Sequence, residues 1–210
     1  MSSGSARGEA GPRRGARRRA AILKAATQVF LDHGYEGARL EEVIRRSGGS
    51  LATLYAQFES KQGLFAAIIA QICDEIVASL PALDEPTPPA PALAAFAQTY
   101  LRLLLTPVSL ALYRVVISES ARFPELGQAV FDAGPATAAE RLAAYLRAQT
   151  KKGALAVADP PLAARQFLEM VKGDLHFRAL LGSGPAPSRK EIDGCVRTAT
   201  RVFLEGSIAR

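Results

Sequence analysis

Residues 48–58, GGSLATLYAQF, are the stretch of this chain whose residue types and spacing most clearly suggest chemistry. A helix beginning after Ser50 would place Leu51, Leu54, Tyr55 and Phe58 at i, i+3, i+4 and i+7, a packed side. Ala52, Thr53, Ala56 and Gln57 are then left pointing outward. A surface helix of an ordinary soluble domain carries Lys and Glu there, whereas this outer face is nearly bare of charge. Small side chains let a helix backbone sink into a groove about 12 Å wide, the width of the major groove of duplex DNA. Thr53 and the two alanines can touch thymine methyls, and Gln57 can hydrogen-bond a base edge or a phosphate. Tyr55, at the border of the buried face, can pack its ring and extend its hydroxyl to a phosphate oxygen.

Three short helices must position that face. From Arg17 the residues Ile22, Ala26, Val29 and Phe30 share one side of a helix that stops at Gly34. A second helix spans about Leu40 to Ser47, with Val43 and Ile44 inward and Glu41 and Glu42 in its first turn, where the helix dipole favours acids. Gly48 and Gly49 break it, and Ser50 caps the third. This is the pattern of a helix-turn-helix.

Charge distribution points the same way. The formal net charge is +6. Residues 1–19 hold Arg7, Arg13, Arg14, Arg17, Arg18 and Arg19 against Glu9 alone, which accounts for nearly all of the excess. A Gly/Ser/Arg-rich arm over 1–16 cannot bury enough apolar surface to fold by itself and is drawn to polyanions. It lacks the apolar core of a secretion signal, and no run of eighteen apolar residues occurs, so the expectation is a cytoplasmic chain that enters no membrane. Cys73 and Cys195 lie in apolar helical patterns without a CxxC partner and read as core thiols.

The remaining chain is helical by pattern, with a long helix from about Gln62 to Leu80, a proline-rich loop, and segments at about 91–105, 108–122, 125–152 (broken at Gly134-Pro135), 160–181 and 188–207. The expected architecture is all-α, with a disordered basic arm over 1–16, a helix-turn-helix domain over 17–62 and a larger helical domain over 63–210. The final helix carries a narrow seam of Ile192, Cys195, Ala199 and Val202, and the one before it a stripe of Ala164, Leu168, Val171 and Leu175. Such stripes serve either an internal core or an interface.

Enzymatic chemistry finds no support. His33 and His176 are far apart in sequence, no nucleophile elbow, zinc-protease, phosphate-loop or dinucleotide fingerprint is present, and nothing calls for a metal or cofactor.

From Arg17 to Ile69 the chain resembles the DNA-binding domain of the TetR family of transcriptional regulators. The resemblance rests on Gly34-Tyr35, Gly48, Ser50, Thr53-Leu54-Tyr55, Phe58, Lys61 and Leu64-Phe65 at the family's spacing. It implies phosphate contacts for Ser50, Thr53, Tyr55, Gln57 and Lys61, and base-edge contacts for Leu51, Ala52 and Ala56. Three positions depart from the family. Arg39 stands where Thr or Ser usually caps the second helix, Gly49 where Val is usual, and Leu51 where a basic residue is frequent. More faintly, RVVISESARFPEL and QFLEMVKGDLHFRALLG resemble the C-terminal domain of the AefR-like branch. The TetR resemblance implies a homodimer formed through the last two helices, with Ala164, Leu168, Val171, Leu175, Ile192, Cys195, Ala199 and Val202 at the interface, and a pseudo-palindromic operator, while the AefR-like one implies a small apolar effector that releases the repressor. Candidate pocket residues are Tyr100, Tyr113, Ser118, Arg122, Phe123, Phe131, His176 and Phe177, because a cavity in such apolar helices needs a few polar groups. The alternative is a small-molecule-binding helical dimer whose DNA head has lost specificity, as Arg39, Gly49 and Leu51 would allow.

Overall fold

The computed structural model describes residues 10–84 and 86–206, with side chains from Arg14 onward. Ten α-helices make up these residues, and no strand occurs among them. They are α1 (Ala10–Gly37), α2 (Leu40–Ser47), α3 (Leu51–Phe58), α4 (Lys61–Ser79), α5 (Pro89–Leu104), α6 (Pro107–Glu119), α7 (Pro124–Phe131), α8 (Thr137–Lys151), α9 (Pro160–Leu181) and α10 (Arg189–Glu205). The all-α expectation is therefore met. Proline stands in the first turn of α5, α6, α7 and α9, where its missing N–H has no intrahelical partner to lose.

The chain divides into two compact units, one ending at Ile69 and one beginning at Ala70, so the division falls inside α4 and not at 62/63. The disordered arm expected over 1–16 is also corrected in part. Residues 1–9 lie outside the described residues, but 10–16 are helical and extend α1. Pro12 is compatible with this because it sits in the first turn of the helix.

In the first unit, Ile22, Ala26, Val29 and Phe30 of α1 meet Val43, Leu54, Leu64 and Phe65 in a core that is nearly closed to solvent. Phe65 lies 4.9 Å from Phe30 and 5.2 Å from Tyr35, centroid to centroid, the tilted arrangement that aromatic quadrupoles favour. Outside this core, Arg46 of α2 binds Asp32 of α1 at 2.9 Å and Glu42 at 2.5 Å, with His33 a further 3.4 Å from Glu42. Hydrogen bonds from Gln28 and Arg46 hold the Asp32 carboxyl below its ordinary range, and the Arg46 bond does the same to Glu42.

The second unit is built on Leu93, Phe96 and Leu101 of α5, Leu142 and Leu146 of α8, Phe167 and Val171 of α9 and Phe203 of α10. Phe167 meets Phe203 edge-on at 5.0 Å. Arg141 of α8 donates to the carbonyls of Val77, Leu80 and Pro81, and so satisfies the C-terminal end of α4. Where a break was expected at Gly134-Pro135, the chain instead widens into one π-helical turn, Asp132–Ala136, and passes straight into α8. The wider turn accommodates a proline that cannot donate within an α-helix. By length and composition α4 could cross a bilayer, but Leu64, Phe65, Ile68, Ile69 and Cys73 are buried against protein, which accounts for its apolar character.

The stripes on the last two helices are corrected. Ala164, Leu168, Val171, Leu175, Ile192 and Ala199 are all buried inside the unit and belong to its core. Periodicity reports that a helix face is covered, not what covers it. Of the stripe residues only Val202, 46% exposed, and half-buried Cys195 are incompletely covered, while Phe177 and Leu181, elsewhere on α9, are 63% and 65% exposed.

Candidate nucleic-acid interface and effector cleft

Helix α3 begins as its sequence dictates. Ser50 has extended backbone angles, and its Oγ accepts from the Thr53 N–H at 3.2 Å, an N-cap that supplies one orphan donor of the first turn. The same Oγ pairs with Thr53 Oγ1 at 3.0 Å, so two hydroxyls lie side by side at the start of the helix. Leu54 and Phe58 are buried, one residue per turn. Ala52 and Ala56 are exposed, Thr53 and Gln57 half-buried. Leu51 is only half-buried, and Tyr55, expected on the packed side, is 48% exposed and stands on the open face. A helix of eight residues resting on a single stripe cannot cover a wider face.

Arg39, the residue before α2, is exposed and makes no side-chain cap bond. Lys61 is more engaged than its expected phosphate role suggested. Its Nζ donates to the Glu36 carbonyl at 3.0 Å and lies 5.1 Å from the centre of the Tyr35 ring. Arg19 stacks over Phe58 at 4.7 Å.

Beside α3 lies a concave site of about 520 Å³ formed by Arg14, Gly15, Arg17, Arg18 and Ala21 of α1 with Thr53 and Gln57. The sequence pattern places these arginines in an arm or in the first helix and not in the site. Their spacing of three and four residues, which puts them on one helix face, was the available signal. The Gln57 amide oxygen is shut away from solvent with no hydrogen-bond partner among the described residues.

The second unit has a cleft of about 430 Å³ between α5, the π turn, α8 and α9. Tyr100 and Phe131 line it, over a floor that includes Pro135, Ala139, Ala143 and Leu168. Arg147, Arg165, Asp132, Glu140 and Glu169 also line it, so the cleft is more polar than the sequence suggested. Burial pushes the Tyr100 phenol well above its usual range. Tyr113 and His176 do not line this cleft but pack together edge-on at 5.3 Å. Ser118, Arg122 and Phe177 face solvent, and Phe123 is half-buried. The Ser118 hydroxyl donates to its own helix at the Val115 carbonyl, 2.9 Å away. Helical phase separates these residues from the cleft, which sequence could not resolve without knowing the partners of α6 and α9.

Residues 91–206 match the family described as the AefR-like transcriptional repressor C-terminal domain, and residues 22–68 match the bacterial regulatory proteins of the tetR family. The chain belongs to the TetR family. It is a helix-turn-helix transcriptional regulator, not an enzyme. The flavonoid-responsive regulator FrrA is 31% identical, with 93% of this chain and 99% of that one covered at a TM-score of 0.82. A putative TetR-family regulator from Mesorhizobium loti is 26% identical over the same shares at a TM-score of 0.84. The transcriptional repressor ComR of Escherichia coli is 38% identical over 60 residues, 29% of each chain. The transcriptional activator FasR of Mycolicibacterium smegmatis is 38% identical over 82 residues, 37% of each. The chain thus spans about a third of the length of these two curated relatives.

Proposed function

We propose that this TetR-family regulator is a cytoplasmic homodimeric repressor that binds a pseudo-palindromic operator and is released by a small molecule. The observation that carries the reading is the open face of α3. Ala52 and Ala56 leave the backbone approachable, while Ser50, Thr53, Tyr55 and Gln57 surround them with groups that bond phosphates and base edges. In this reading Leu51, Ala52 and Ala56 meet base edges, and Arg39 and Lys61 anchor the flanking backbone. The unit ending at Ile69 is the reading head.

A second copy is proposed to pack on α9 and α10 and to cover their exposed apolar residues Phe177, Leu181 and Val202, since large apolar side chains left open on a helix pair suit an association surface. Two heads then read half-sites about 34 Å apart. The effector is proposed to occupy the cleft under Tyr100 and Phe131, and its chemistry is that of an apolar body carrying polar groups, matching the mixed lining. The π turn that lines the cleft also touches α4. A Cβ at Gly134 would fall 3.1 Å from Cys73 Sγ, so a ligand that displaces the turn presses on the helix whose first half belongs to the reading head. The effector must favour the DNA-incompetent arrangement, because a ligand with equal affinity for both states shifts nothing.

Selection of the purified protein against a random duplex pool at moderate salt tests this. An enriched inverted repeat with half-sites one turn apart supports it. Retention without a motif supports instead a degenerate head on a small-molecule-binding dimer, and binding of candidate effectors without loss of operator affinity removes the release mechanism.

A further inference from the structure

Arg14, Arg17, Arg18 and Ala21 share one face of α1 and look across the groove at Thr53 and Gln57. Among these arginines Arg18 alone is half-buried, and its guanidinium lies over the turn between α2 and α3. A Cβ built on Gly49 would stand 2.6 Å from Arg18 Cζ and 2.9 Å from Nε, closer than carbon atoms approach without displacement. At Gly48 the corresponding Cβ would be 3.7 Å from a terminal guanidinium nitrogen. Gly49 has φ of +101°, a conformation that glycine alone adopts without strain. The absent side chain therefore has an occupant, the Arg18 guanidinium.

No acid holds Arg18 there. It makes no hydrogen bond or ion pair among the described residues, in contrast to Arg46, which Asp32 and Glu42 bind. A guanidinium held over the turn with no carboxylate partner among the described residues is a donor set that suits an anion.

We propose that Arg18 is a phosphate-binding residue of the reading head, admitted to its position by Gly49, and that it supplies the positive charge α3 lacks at Leu51. The target is the sugar-phosphate backbone of duplex DNA, so the proposal rests on the DNA-binding reading above. It treats Gly49 and Leu51 as linked departures. One removes the side chain that would exclude Arg18, and the other removes the basic residue that Arg18 replaces.

The test measures binding of the full-length protein to a labelled mixed-sequence duplex of about 30 base pairs between about 50 and 200 mM salt. Wild type, Arg18→Ala, Gly49→Asn and the double variant are compared. Asn is chosen because it tolerates positive φ better than other side-chain-bearing residues. Arg18→Ala is expected to weaken binding about tenfold for each engaged head at the middle of the range, the loss of one charge-assisted bond per head, and to lower the salt slope by about 0.9 for each phosphate contact removed. Gly49→Asn is expected to produce the same loss of slope by expelling the arginine it does not delete, and the double variant no more than either single one. An unchanged slope in Arg18→Ala overturns the proposal. A reduced slope there with a wild-type slope in Gly49→Asn overturns the role given to Gly49. Should Gly49→Asn fail to fold, Gly49→Ala brings the same Cβ with less bulk, and Arg18→Ala, which removes a side chain outside the buried core, still decides the phosphate contact. Failure of the wild-type protein to hold any duplex at low salt defeats the DNA-binding reading, and this proposal with it.

Discussion

His176 makes the stability of the second unit depend on pH in a window where carboxylates contribute little. Its side chain is buried between α9 and α6, only 7% exposed, with Nε2 lacking a hydrogen-bond partner among the described residues and its ring edge-on to Tyr113. Burial disfavours the imidazolium, and the Lys172 charge adds to that, while Glu169 opposes it. The net effect lowers the pKa from the ordinary 6.5 to about 4. Because the folded pKa of this base lies below the unfolded one, the unfolded chain binds the extra proton between those values. Stability is fully present above about pH 6.5 and is lost as the pH falls toward 4. At about 1.4 kcal/mol for each pH unit, the full loss is about 3 kcal/mol, of which about 2 kcal/mol is gone by pH 5. His176→Phe keeps a ring against Tyr113 and removes the proton site. Urea unfolding of both proteins at fixed concentration, from pH 7 to pH 5, is expected to show wild type losing about 2 kcal/mol more than the variant. Asp32, Glu42 and Glu191, held low by hydrogen bonds, also lose stability on acidification, but below their ordinary range and therefore outside this window. Parallel pH profiles for the two proteins would refute the reasoning.

Ser50→Ala removes the acceptor for the Thr53 N–H and is expected to cost about 1 kcal/mol in urea unfolding. It should also weaken duplex binding, whereas unchanged binding would remove Ser50 from the interface. Phe177→Glu places a charge where a 63% exposed ring contributes nothing to the core. Protomer stability should hold while the dimer dissociation constant, measured by sedimentation, rises by about a hundredfold, equivalent to about 3 kcal/mol. Undiminished association would move the interface elsewhere.

The helices of this protein are local in origin, and that made them legible. The kink at Gly34, the stop at Gly48, Ser50 as a cap and prolines in first turns act through the chain's own neighbouring backbone, so α2, α3 and the later segments lie within three residues of their expected bounds. The outward face of α3 was equally legible at Ala52 and Ala56, because a helix on a core exposes its complementary side. Tyr55 is exposed where helical periodicity packs it, because the width of a buried stripe depends on the neighbouring helices and not on the sequence of α3 itself.

The family membership and the helix-turn-helix were written in the order of residues, in spacings fixed by the geometry of a single helix. Tertiary structure alone decided what faces what. It buried Ala164, Leu168, Val171, Leu175, Ile192 and Ala199 in the core and opened Phe177 and Leu181 instead. It also turned His176 inward beside Tyr113 and laid Arg18 across Gly49. Periodicity specifies that a face is covered, but the identity of its cover is a long-range fact, set by how helices distant in sequence share a limited apolar surface.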